Sequence, residues 1–231
     1  MKVVILCGGK GTRLRELTKE MPKPLIEVGG RPILWHIMKL YAHYGFKDFV
    51  LCLGYKGNMI KKYFQNNPEE GWNIQMIDTG KDTKKAERLM KIKDFVGNEF
   101  FLAYGDDISN ININELADFH KKHGKIATIT TVKPENPFGV IEFDSIYIKK
   151  FKEKPIMNEW INGGFMILNK KIFEYIAEGN ELEEEVFKKL VEKNELCAFK
   201  HEGFWKGMNT FKDTQELNNL WENGNAKWKI W

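Results

Sequence analysis

The sequence predicts an α/β fold: a mostly parallel mixed sheet flanked by helices, with a smaller antiparallel extension. Three observations carry this expectation. Short β-branched or aromatic runs alternate with amphipathic segments through the first half of the chain. Beyond Lys133 the pattern changes to shorter alternating strands. No repeat, low-complexity tract or Pro/Gly linker divides the 231 residues, a length common for one α/β domain.

Val3 to Cys7 opens the chain as a short apolar run. After Pro32, in the segment Ile33 to Tyr44, Leu34, Ile37, Met38, Tyr41 and Tyr44 recur at three- and four-residue steps, with Lys39 and His43 between them. That spacing is a helix laid against the sheet. The alternation continues through Asp48 to Leu53, Met59 to Phe64, Trp72 to Ile77, Phe100 to Tyr104, Ile113 to His120 and Ile126 to Val132. Val140 to Phe143, Tyr147 to Phe151 and Phe165 to Leu168 then read as strands of the antiparallel extension. Two helices follow, Leu182 to Val191 and Phe211 to Trp221. In the first, Leu182, Val186 and Leu190 form one stripe, and Glu184/Lys188 and Glu185/Lys189 are exposed pairs four apart. The whole reads as a Rossmann-like arrangement.

At 42% hydrophobic and 29% charged, with 16 Phe, 7 Trp and 7 Tyr, the composition is globular and excludes disorder and coiled coil. No apolar run approaches the ~20 residues that span a bilayer, and Val3 to Cys7 is shorter than a signal-peptide core. A cytoplasmic location without membrane contact is expected. The net charge of +4 is mild and the lysines are dispersed, so no nucleic-acid partner is implied. The densest positive stretch, Lys84 to Lys93, mixes acidic and apolar residues at helical spacing. It reads as a solvated helix face, with an anionic ligand at one end as the alternative. Cys7, Cys52 and Cys197 lie far apart and read as buried free thiols. His120 and His123 stand at i, i+3 with no evident third ligand, as at an exposed helix end. The tail residues Trp205, Trp221, Trp228 and Trp231 read as core or oligomer contacts.

The first apolar run ends in Gly8-Gly9-Lys10-Gly11-Thr12-Arg13-Leu14, at the carboxyl end of a strand, where open α/β sheets bind ligands. Glycines let backbone N–H groups close on an anion, and Lys10, Thr12 and Arg13 add donors. A Walker loop would need Gly-Lys-Ser/Thr at its end, and a dinucleotide fingerprint a third glycine where Leu14 stands. Neither fits.

The turn Gly8 to Leu14 followed by Pro22-Lys23-Pro24-Leu25 resembles the joint signature of the sugar-phosphate nucleotidyltransferases, and the resemblance runs along almost the whole chain. It implies the nucleotidyltransferase fold, with Arg13 and Lys23 as catalytic groups on the nucleotide phosphates. Gly8, Gly9, Gly11 and Thr12 complete the turn, and Glu87 and Arg88 lie near the base. Tyr104-Gly105-Asp106 resembles the metal-binding aspartate after a strand, with Mg2+ as the cofactor. Phe138-Gly139 and Glu153-Lys154-Pro155 resemble the acceptor-phosphate contacts, and Asn162-Gly163-Gly164 the sugar-facing turn. Residues 1–132 would then be mainly the nucleotide-binding half of one domain over 1–231. Residues 133–231 would be mainly the acceptor-phosphate half with the C-terminal helices. Ile33 to Met38, Gly54-Tyr55-Lys56-Gly57, Gly203-Phe204-Trp205 and Trp221 to Gly224 are most similar to the branch that uses CTP and glucose 1-phosphate. A nucleoside triphosphate and a sugar phosphate are the implied substrates, and a homo-oligomer the implied assembly.

The chemistry accounts for the residue types. A sugar 1-phosphate attacks the α-phosphorus of a triphosphate in line and pyrophosphate leaves. The attacking monoester has a second pKa near ~6, so no general base is required. Two anions must be brought together, which calls for Arg13, Lys23 and Lys154 and for a hard divalent ion on Asp106. Three positions depart from the branch: the chain is shorter between Phe64 and Trp72, Ala86-Glu87-Arg88 replaces a Gly-Gly-Arg segment, and Asn209 stands where the second metal-binding aspartate is expected. They motivate two other readings, a cytidylyltransferase for a different phosphate acceptor (another sugar, a polyol or a small organic phosphate) and a non-catalytic nucleotide-binding subunit.

Overall fold

The computed structural model describes the backbone of residues 1–231 and every side chain except those of Arg13, Arg15 and Glu16. A seven-stranded sheet forms the centre, in the order β12-β8-β11-β6-β1-β4-β5. Its strands are β1 (Lys2–Leu6), β4 (Asp48–Leu53), β5 (Asn73–Asp78), β6 (Glu99–Tyr104), β8 (Ala127–Val132), β11 (Ile161–Asn169) and β12 (Leu196–Lys200). β1 pairs in parallel with β4 and β6, β4 with β5, and β8 with β12. Only β11 among these strands runs antiparallel, between β6 and β8. Three two-stranded pairs complete the strand set: β2 (Glu27–Val28) with β3 (Arg31–Pro32), β7 (Asp107–Ser109) with β13 (Trp205–Gly207), and β9 (Val140–Asp144) with β10 (Tyr147–Lys152).

Phe165 to Leu168 is the departure from expectation in the sheet. The run belongs to β11 inside the main sheet, and the antiparallel extension is the β9–β10 ribbon alone. A fully buried apolar run looks alike in either place, because its partner lies far away in sequence. β11 is interrupted where Gly163-Gly164 shifts its register on β8 between Asn162 and Met166.

The sheet is buried on both faces, so successive β1 residues feed different cores. Val3 and Ile5 pack with α2 (Ile33–His43), α3 (Gly57–Asn66), α5 (Ile113–His123) and α7 (Phe211–Glu222). Val4 packs with α4 (Lys85–Lys91) and with the helical stretch Leu182–Phe187 that runs into α6 (Lys188–Glu192). A short α1 (Arg15–Thr18) follows the glycine turn. α2 is buried well beyond the predicted stripe, at Trp35 and His36 as well. The rings of Trp221, Trp228 and Trp231 lie 5.2, 6.2 and 6.1 Å from that of His36, so the tail covers the face of α2 that the sheet leaves open.

His120 corrects the expectation of an exposed helix end. It is 1% exposed and its Nδ1 lies 2.7 Å from Thr128 Oγ1, which is also 2.8 Å from His123 Nε2. The pair is bonded to β8, and among the described residues no group of three or more metal-ligating side chains forms. Cys7 and Cys52 are buried and Cys197 half-buried, all unpaired thiols. No helix of the described residues is long and apolar enough to cross a membrane.

Candidate active site

A cleft of about 750 Å³ opens at the carboxyl ends of β1 and β6. Its floor is the turn after β1. Gly11 has φ +61°, a left-handed conformation that glycine adopts without strain, and a Cβ on Gly8 would lie 2.1 Å from a guanidinium nitrogen of Arg88. Gly8, Gly9, Gly11, Thr12 and Lys23 all line the cleft. The side chain of Arg13 lies outside the described residues; its backbone belongs to the short helical turn Thr12–Leu14.

Arg88 is 4% exposed on α4 and holds the walls together. One guanidinium nitrogen donates to Leu53 O (3.2 Å), Thr79 Oγ1 (2.7 Å) and Gly80 O (2.7 Å), and the other to Gly8 O (3.1 Å) and Lys81 O (3.3 Å). The loops after β1, β4 and β5 thus meet on one side chain. Burial lowers its pKa, and the surrounding carbonyls supply the acceptors that a buried cation requires.

Glu87 is not brought to the cleft. Its carboxylate accepts from Lys84 N at the start of α4 (3.4 Å) and from Gly179 N (3.2 Å). This is a helix cap that ties α4 to a neighbouring loop. Among the described residues, the structure thus places Glu87 beside the cleft as a cap of α4 and not on the cleft wall.

Lys23 leaves a short helical turn, Lys23–Leu25, preceded by Pro22. Its ammonium pairs with Asp106 Oδ2 and donates to Asn209 Oδ1 at 3.1 Å. Asp106 follows β6. Met208 N donates to Asp106 O at 2.9 Å, and the adjoining β7–β13 pairing sets Gly207 opposite Asp107, which carries Asn209 to the same point. An anionic and a neutral oxygen therefore converge on a cation. That donor set suits a hard divalent ion, which takes oxygen ligands from carboxylates and amides.

Asp107 is 8% exposed, lines the cleft, and accepts no hydrogen bond through its carboxylate from a described group. Two glycines make room for it: a Cβ on Gly164 would lie 2.6 Å from Oδ2, and one on Gly207 2.8 Å from Oδ1. Burial, then the neighbouring charge of Asp106, pushes its pKa well above the carboxylate range.

The opposite wall carries groups that the motifs did not single out. Lys81, Lys84 and Lys85 line it, so one end of the basic stretch does face the cleft. Lys85 Nζ lies 4.6 Å from the Tyr104 ring centroid and donates to Glu183 Oε1 at 2.5 Å. Glu183 also accepts from Tyr104 Oη at 2.5 Å, and Tyr104 in turn accepts from Asn162 Nδ2 at 3.3 Å. Asn162 Oδ1 takes Gly164 N at 2.9 Å, which fixes its orientation in the cleft. Gly163 O accepts from Trp205 Nε1 at 2.8 Å, so that tail tryptophan forms cleft wall. Gly139, Glu153 and Lys154 are not on the wall; they lie at the base of the β9–β10 ribbon, where a Cβ on Gly139 would approach Glu153 Oε2 to 3.0 Å. Lys154 holds φ +44° immediately before Pro155, a strained conformation that fixes where its side chain leaves the backbone.

Glycine turn, basic wall and paired oxygens at the strand ends together supply the donors and the charge that a polyphosphate would need. The family model described as nucleotidyl transferase matches residues 2–224, and the chain belongs to that family. It is 41% identical over 256 aligned positions to the glucose-1-phosphate cytidylyltransferase of Salmonella typhi, with the whole of both chains covered. It is 38% identical to the mannose-1-phosphate guanyltransferase of Saccharomyces cerevisiae, over 98% of this chain and 66% of the yeast protein. Among solved structures, HddC from Yersinia pseudotuberculosis complexed with GMP-PN shares the fold, with a TM-score of 0.75, 20% identity, and 95% and 99% of the two chains covered.

Proposed function

We propose that this enzyme joins CTP to glucose 1-phosphate, giving CDP-glucose and pyrophosphate. The observation that carries the reading is Lys23, held between Asp106 and Asn209 beside a glycine turn and facing a lysine-lined wall. Backbone N–H groups of Gly8 to Gly11 cradle the triphosphate, and Arg88 fixes the turn from behind. Lys23 and Arg13 offset the charge that spreads over the transferring phosphoryl group, which favours the transition state over either separated anion. The acceptor phosphate is itself the nucleophile, so the absence of a required base leaves Tyr104 and Asn162 to orient the sugar. Glu153 and Lys154 serve the acceptor phosphate. Asp106 and Asn209 would hold Mg2+, which when bound neutralises phosphate oxygens.

A second reading, in which the acceptor differs from glucose 1-phosphate, rests on Asn209 in place of the expected second metal-binding aspartate and on Ala86-Glu87 in place of two glycines. Pyrophosphate release across a matrix of four triphosphates and a panel of sugar, polyol and small organic phosphates separates the two. CTP with glucose 1-phosphate as the preferred pair supports the first; preference for another acceptor supports the second; no release with any pair overturns both. Buried thiols at Cys7 and Cys52 support a reducing, cytoplasmic setting for the reaction.

A further inference from the structure

We infer that Tyr55 is a positioning residue for triphosphate binding: through its backbone N–H and its phenol it holds both ends of the glycine turn, Gly8 and Thr18, without itself lining the cleft. What the held turn binds rests on the reading above; the holding does not.

The segment Gly54-Tyr55-Lys56-Gly57 ends β4 and starts α3, and crowding dictates its shape. A Cβ on Gly54 would lie 2.6 Å from Gly80 O and 2.7 Å from Gly8 O, and one on Gly57 2.9 Å from Leu53 Cβ. Glycine lets the loops after β1, β4 and β5 come this close. The approach sets Tyr55 N on Gly8 O at 3.1 Å, and Gly57 N closes the segment on Gly54 O at 3.0 Å. Lys56, the residue before α3, holds φ +52°, a left-handed conformation that persists in a non-glycine residue where the surroundings fix it.

The two side chains then reach the far end of the glycine turn. Tyr55 Oη donates to Thr18 O at 3.1 Å, and Lys56 Nζ donates to Lys19 O. Both acceptors are carbonyls at the C-terminal end of α1, where intrahelical donors run out. Thr18 is 4% exposed, and its Oγ1 donates to Leu14 O (3.0 Å) and Gly11 O (3.3 Å), so a displaced Thr18 moves the turn with it. α1 has only four residues, and a helix that short is unstable by itself in water. Its place, and that of Thr12 and the Arg13 backbone ahead of it, is therefore set from outside.

Tyr55 also meets the opposite wall. Lys81 Nζ lies 5.8 Å from the centre of its ring and Lys56 Nζ 5.4 Å, within the range of cation–π attraction. Lys81 lines the cleft and Tyr55 does not. One ring thus registers, from behind, the two walls between which a triphosphate would lie.

The test is Tyr55→Phe in the full chain, which keeps the ring and the backbone N–H and removes one hydroxyl. Tyr63→Phe, on α3 and outside the cleft lining, is the control. Amide hydrogen exchange read by mass spectrometry reports on the turn with no ligand present. Peptides covering residues 9–19 should exchange at least ~5-fold faster in Tyr55→Phe, with those of β1, β4 and β6 unchanged. Calorimetry with CTP alone should give a dissociation constant raised ~3–10-fold, the worth of one hydrogen bond. The KM for the acceptor phosphate and the melting temperature should stay at the parent's values, and Tyr63→Phe should match the parent in every readout. Unchanged exchange in the turn, or exchange quickened throughout the sheet, overturns the clamp. Faster exchange confined to the turn with unchanged CTP affinity overturns its role in triphosphate binding. A parent that binds no triphosphate overturns the proposed reaction and that role with it, while the exchange data still decide whether Tyr55 holds the turn.

Discussion

An ammonium held between a carboxylate and an amide oxygen is a cation in a place that suits cations. Lys23→Ala removes it from a side chain only 12% exposed. Turnover should fall by ~10²-fold or more, because the lost charge acts where negative charge spreads, while the urea midpoint moves little. Near-parental turnover would make Lys23 a structural counter-ion of Asp106 only. Asn209→Asp asks the opposite question. A second carboxylate attracts a divalent ion more than it attracts the resident ammonium, so the half-saturating magnesium concentration should drop, and Mn2+ affinity by water-proton relaxation should rise. If Asp107→Asn shifts both readouts and Asn209→Asp neither, Asp107 is the metal-side carboxylate. Arg88→Lys keeps a charge but loses the planar fork that serves three loops. It should cost about 2–4 kcal/mol in denaturant unfolding through carbonyls left unpaired, with a higher KM for CTP.

At the scale of elements, α2 and the tail that covers it give a dependence on acid. His36 donates through Nε2 to Val28 O (2.8 Å) and accepts from Trp228 Nε1 (3.4 Å), so it is held neutral. Burial pushes its pKa down to about 4, and His120 is likewise pushed down to about 4, mainly by burial. Both are protonated more readily in the unfolded chain, near 6.5. Their contribution is therefore complete above pH ~6.5 and is lost as pH falls toward 4, by up to ~3 kcal/mol for each fully buried ring. Calorimetric melting temperatures from pH 7.5 to 4.5 should show this loss, and His36→Gln should flatten part of it while lowering the plateau. An unaltered slope in that variant would place the acid sensitivity elsewhere. The same elements show what a sequence discloses. The α2 stripe and the Asp48–Leu53 strand were legible because period and length are local. β7 and β13 were not, since strands of three residues show no alternation. The glycine turn and Lys23 were legible as a paired motif. Lys85 and Glu183 meet across 98 positions, and nothing local marks one as the partner of the other. The capping contact of Glu87 was not legible, because it depends on the distant loop at Gly179 that meets it.

For the whole molecule, strands from both halves of the chain share one sheet, with β11 wedged between β6 and β8. The cleft is accordingly framed by residues from Leu6 to Asn209.

Cys7 sits at the end of β1, directly behind the glycine turn, and is 1% exposed. Burial, then the neighbouring Cys52 and Asp106, raises its pKa well above that of a free thiol, and burial pushes Cys52 up to about 12. An alkylating reagent attacks thiolates that it can reach, so these two sulfurs are silent while the wall stays shut. Their labelling times, read peptide by peptide in a mass spectrometer, become a clock for each parting of the phosphate turn from the strands beneath it. Half-buried Cys197, on the far edge strand β12, keeps separate time as the reference. Adding a triphosphate should slow the Cys7 clock selectively, a signal of occupancy that needs no product to be formed.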